Sequence, residues 1–118
     1  MKNSCLFLIN KMPESALILT ETLDALLTFS AFDLKVSVLL LDDGVNLIAT
    51  IPRETGCELM FSRFMEALDF YGLEPVWVES ESMTARGFSL PRANHRLVPL
   101  ARRELPAWLR QYSLILGP

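Results

Sequence analysis

Two kinds of apolar pattern alternate along the chain, and each predicts a different element. Unbroken runs, at Cys5-Leu6-Phe7-Leu8-Ile9, Val36 to Leu41, Val76-Trp77-Val78 and Ser113 to Leu116, lack polar alternation. Runs that short suit strands buried on both faces. Arg96-Leu97-Val98 is a candidate for a further strand. Between the runs, apolar residues recur at helical spacing. Ala16, Leu19, Leu23, Leu26, Leu27 and Ser30 share one face and predict a helix over about Ala16 to Phe29. Ser15 is its N-cap, after a Lys11-to-Ser15 loop in which Pro13 discourages an earlier start. Met60, Phe61, Phe64, Met65, Leu68 and Tyr71 predict a second helix, ended by Gly72. Val45 to Ala49 and Ser80 to Arg86 are short helical segments, the latter stopped by Gly87, and Ile51 to Cys57 is a loop. Leu100 to Gln111 is helical in pattern but contains Pro106, which removes an internal hydrogen bond. That helix therefore begins late or bends.

Strands alternating with helices and short loops predict one domain over residues 1–118. Its class is α/β: a three-layer, flavodoxin-like, mostly parallel sheet of about five strands with helices on both faces. The most telling junction is Lys35 to Val45, where a Val- and Leu-rich run stops at Asp42-Asp43-Gly44. This predicts a turn at the strand's carboxyl end, with Gly44 tolerating positive φ and Asp hydrogen-bonding nearby backbone. Ligand and reaction sites of open α/β sheets collect at that edge.

Composition narrows the function classes. The chain has 118 residues, 51% hydrophobic and 21% charged, with a net charge of −3. Its pI is about 5.1. Such a surface lacks the cations that direct nucleic-acid binding needs, so any RNA contact runs through a partner. The apolar content is slightly high, which fits either burial against other subunits or a dense α/β core. No segment has the length of a membrane span. The apolar run after Met1-Lys2-Asn3-Ser4 is too short for a signal peptide. Two cysteines and no secretory address suggest a reducing cytoplasm.

The common chemical motifs are missing. No Gly-x-x-x-x-Gly-Lys loop or Gly-x-Gly-x-x-Gly turn is present, so a nucleotide lacks its backbone cradle. There is no Cys-x-x-Cys, and the one histidine, His95, lies in the polar Pro91-to-Arg96 loop. No metal or cofactor is expected from this set. Cys5 reads as a buried structural thiol. Cys57 precedes a helix start that would lower its pKa, while Glu58 opposes that. It reads as a bystander. Asp42 and Asp43 suit turn and cap roles better than paired acid/base work, because adjacent residues leaving a strand diverge. Trp77 and Trp108 read as core or subunit-interface residues.

Several segments, in order, resemble a known family. Leu23-Asp24-Ala25-Leu26-Leu27, Ser30-Ala31-Phe32, the apolar strand and Asp43-Gly44-Val45 are similar to the DsrE/DsrF-like sulfur-relay proteins, most nearly the TusC/DsrF branch. The tail agrees through Pro99-Leu100, Arg102-Arg103-Glu104-Leu105, Tyr112 and Ile115-Leu116. The resemblance covers nearly the whole chain.

It implies a cytoplasmic complex of TusB-, TusC- and TusD-like subunits, arranged as a dimer of heterotrimers. Such a complex passes persulfide sulfur toward 2-thiouridine at the tRNA wobble position, meeting tRNA only indirectly. In the TusD/DsrE branch the working cysteine lies just after the third strand, ahead of an Arg-Gly pair. Counting back from Arg86-Gly87 lands on Glu79. A carboxylate cannot attack or carry sulfane sulfur. The resemblance thus implies a non-catalytic, structural subunit, with Asp43, Gly44, Val45, Glu79, Ser80 and Arg86 as turn or interface candidates. Glu79 is either a solvated rim residue or a subunit contact. Three alternatives stay open. One is a persulfide-carrying sulfurtransferase using Cys57 or Cys5, and another a DsrF-like subunit in sulfur oxidation. The third is a small-molecule module at the Asp43-Gly44 turn. Self-association without partners is also open.

Overall fold

In the computed structural model, the described residues are 4–11, 15–30, 35–48, 66, 76–88 and 97–117. They contain five strands: β1 (Ser4–Ile9), β2 (Lys35–Leu40), β3 (Val76–Glu79), β4 (Leu97–Leu100) and β5 (Leu114–Leu116). All pair in parallel, in the order β4-β3-β2-β1-β5. Three helices accompany them: α1 (Ala16–Ser30), α2 (Ser80–Ala85) and α3 (Leu105–Leu109). Two 3-10 segments, Asp42–Ile48 and Arg102–Glu104, follow β2 and β4.

The connections explain the layers. β1 to β2 and β3 to β4 step across the sheet in one direction, so right-handed crossovers place α1 and α2 on the same face. The path from β4 to β5 returns the other way and puts α3 on the opposite face. Helices on both faces make the expected three-layer α/β architecture. The strand order differs from the 2-1-3-4-5 order of flavodoxin itself, so that likeness is one of layers and direction.

Side chains alternate between the faces with strand period. One face carries Phe7, Ile9, Val38, Leu40, Val76 and Val78, packed beneath Leu19, Val45, Leu47, Ile48 and Met83. The other carries Leu6 and Leu39 with Leu100 and Trp108, edged by the half-buried Leu8, Leu41 and Trp77. There Trp108 lies tilted between Trp77 and Tyr112, at centroid distances of 5.4 and 4.9 Å. Both tryptophans are packing residues.

Local signals set most element ends. Ser15 caps α1, its Oγ accepting the Ile18 amide at 3.2 Å. Gly87 stops α2 with φ of +79°, a conformation that costs glycine least. The last helix begins late: the chain runs through Arg102–Glu104 as a 3-10 turn, and α3 then carries Pro106 in its first turn, where no amide is needed. The segment after β2 coils from Asp42, earlier than the Val45 start its sequence suggests. The expected Ile51-to-Cys57 loop, the Met60-to-Tyr71 helix apart from Glu66 (helical and exposed), Gly72, Cys57 and the His95 loop lie outside the described residues. No helix among the described residues is long and apolar enough to cross a membrane.

Candidate functional site

Three strands end side by side at the carboxyl edge of the sheet, and the chain after each supplies polar groups. The register aligns Ile9 with Leu40 and Leu40 with Val78, while Glu79 aligns with Leu100. The ends of β2, β3 and β4 therefore lie within one residue of each other.

The turn after β2 folds back over the end of β1. Leu41 donates its amide to the Ile9 carbonyl at 3.1 Å, and Gly44 donates to the Leu41 carbonyl at 3.0 Å. A Cβ on Gly44 would stand 2.0 Å from the Ile9 carbonyl oxygen and 2.7 Å from its carbon. The sequence suggested that Gly44 supplies positive φ. The structure corrects this: the left-handed residue is Asp42, with φ of 49°, and glycine is needed at 44 for close backbone approach. Val45, fully buried, anchors the turn in the core.

Glu79 ends β3 and precedes α2. It is 1% exposed, so it is no solvated rim residue. Its Oε1 accepts a short hydrogen bond from Ser82 Oγ and another from Arg102 Nη2 at 2.7 Å. Ser82 is buried and accepts the Asp42 amide at 2.8 Å. Arg102, whose side chain is 59% exposed, donates its backbone amide to Glu81 Oε1 at 2.9 Å. The Arg102 guanidinium, with help from Ser82, holds the Glu79 carboxyl below its usual pKa against the opposing effect of burial. The same carboxylate raises the pKa of Arg102.

A second ion pair lies nearer to solvent. Arg86 donates through Nη2 and Nε to Asp43 Oδ1 at 2.7 and 3.2 Å, and through Nη1 to the Ser82 carbonyl at 3.2 Å. The Asp43 side chain is 66% exposed. Ser80, the first residue of α2, is half-buried, and its carbonyl accepts the Thr84 hydroxyl at 3.1 Å. The fold thus gathers Asp43, Gly44, Val45, Glu79, Ser80 and Arg86 at one edge. Ser82 and Arg102 complete the network, and the sequence did not single them out as partners of Glu79. The Glu79-x-x-Ser82 spacing was the available clue to the first of these. Arg102 lies 23 residues from Glu79 and gave no local signal.

Among the described residues, the arrangement holds charge and includes no thiol. The Ser82 hydroxyl is buried and committed to Glu79. Cys5 lies near the start of β1, five residues of strand rise (about 16 Å) below the level of Glu79 and two strands away. Burial pushes its thiol pKa up, which suppresses the reactive thiolate. Among the described residues, no three His, Cys, Asp or Glu side chains are grouped to hold a metal ion.

Comparison with known proteins places these features in context. Residues 3–116 match the model of the DsrE/DsrF-like family. A protein described as "Protein TusC homolog" from Pseudomonas aeruginosa is 29% identical over 119 residues, covering 98% of each chain. The crystal structure of the ychN protein from E. coli superposes with a TM-score of 0.66 at 16% identity, covering all of both chains. That likeness is one of fold.

Proposed function

The chain belongs to the DsrE/DsrF-like family, and from that premise we propose that it is a TusC-like, non-catalytic subunit of a sulfur-relay complex. The complex passes persulfide sulfur toward 2-thiouridine at the tRNA wobble position, in the cytoplasm, with TusB- and TusD-like subunits as partners. This chain contributes interface and shapes the surroundings of a partner's cysteine.

The observation that carries the reading is the occupant of the β3 carboxyl end. At the position to which the family resemblance assigns the sulfur-carrying branch's thiol, this chain has Glu79, and that carboxylate is bound within the chain by Ser82 and Arg102. Sulfur transfer proceeds by thiolate attack and a persulfide or mixed-disulfide intermediate, which a carboxylate cannot form. The buried, pKa-raised Cys5 is a poor substitute. The relative described as a TusC homolog, matched end to end, supports the choice of branch.

Co-expression with TusB- and TusD-like subunits, followed by native mass measurement, tests the assembly. A hexamer containing two copies of this chain is the expected result; a stable lone monomer in the presence of both partners contradicts it. Incubating the complex with a sulfane-sulfur donor and alkylating it then locates the persulfide. The label belongs on a partner's cysteine. A persulfide on this chain that is lost in Cys57→Ser makes the chain a carrier instead.

A further inference from the structure

The Glu79 carboxylate sits in surroundings assembled for a negative charge. Ser82 is completely buried, and its hydroxyl is oriented from behind: the Asp42 amide donates to Oγ at 2.8 Å, so the hydroxyl proton is directed at Glu79 Oε1. Arg102 approaches the same oxygen from the β4 side at 2.7 Å and is itself fixed at its backbone by Glu81. Three segments far apart in sequence therefore bring two side-chain donors onto one point. Converging donors of this kind favour an anion over any neutral occupant. A solvated carboxylate needs no such cradle, and Glu79 is not solvated.

We propose that Ser82 and Arg102 form an anion-binding niche at the carboxyl end of β3, which the chain keeps filled with its own Glu79 carboxylate. The ligand class is a carboxylate-sized monoanion. The inference rests on the geometry alone and stands whether or not the chain serves a sulfur relay. With Glu79 in place the niche is closed to external anions. With that side chain cut back it opens to them.

Thermal unfolding of Glu79→Ala in sodium formate, against sodium chloride at equal ionic strength, tests this. Formate is expected to raise the Tm of Glu79→Ala saturably, by about 4 °C or more. It should leave the natural chain and the Glu79→Ala/Arg102→Ala double variant unmoved. Equal responses in all three proteins, or none in Glu79→Ala, overturn the proposal. Should Glu79→Ala fail to fold, Arg102→Gln carries the test, because that side chain is mostly exposed. Its Glu79 carboxyl, followed by carbon NMR, is then expected to titrate at higher pH than in the natural chain. An unchanged midpoint overturns the niche.

Discussion

The two ends of the sheet are both fastened by polar groups, but with different chemistry. At the amino end, β1 and the start of β5 are joined without charge. The Ser4 amide donates to Ser113 Oγ at 3.1 Å, Ser113 Oγ donates to the Ser4 carbonyl at 2.7 Å, and Ser4 Oγ donates to the Gln111 carbonyl at 3.1 Å. At the carboxyl end, β2, β3 and β4 are joined by carboxylates and guanidinium groups, one pair buried on its acidic side and one exposed. Neutral hydrogen bonds suit an end that only needs closing, because they respond to neither salt nor pH. Charged ones give a surface with a field, which falls off with salt where it is exposed and with acid where a carboxylate is committed. The contrast makes the carboxyl edge the end whose fastening depends on salt and pH.

The largest effect is expected from the backbone contact beneath the charged end. Gly44→Ala forces a methyl group onto the Ile9 carbonyl and displaces the whole turn. A loss of about 3 kcal/mol or more is expected in urea denaturation. A neutral result would mean that the turn yields easily and does not fix the edge.

Next comes the charge itself. Glu79→Gln keeps the shape and removes the anion, and should cost about 2 kcal/mol at neutral pH. The pH dependence follows from the lowered pKa. Because the folded value lies below the ordinary 4.5, the contribution is present above that pH and is lost as pH falls through the folded value. Denaturation midpoints of the natural chain and Glu79→Gln should therefore converge in acid. A constant gap across the range would assign the stabilisation to shape and not charge.

The smallest effect belongs to the neutral end. Ser113→Ala removes the hydroxyl that bonds both the Ser4 amide and the Ser4 carbonyl and should cost about 1 kcal/mol. That cost should be the same at low and high salt and across the acid range. A salt- or pH-dependent cost would erase the distinction between the ends.

Much of the fold was legible because its signals are local. The unbroken runs at Cys5 to Ile9 and Val36 to Leu41 announced buried parallel strands, and Ser15, Pro106 and Gly87 marked helix ends through constraints each residue carries with it. The position of Glu79 at a strand end was likewise readable from the run before it. Its state was not. Whether a carboxylate at a strand end is solvated or buried depends on what the neighbouring strand brings, and Arg102 arrives through the pairing of β3 with β4. The role of Gly44 was hidden for the same reason, since its close neighbour belongs to β1.

By itself the sequence determined the layered parallel architecture, the family, and the presence of a carboxylate at the end of β3, since these follow from residue type, order and spacing. Only the tertiary structure decided that this carboxylate is enclosed and charged, and that the turn after β2 rests on β1. Both outcomes depend on strand order, which brings together groups that no local rule connects.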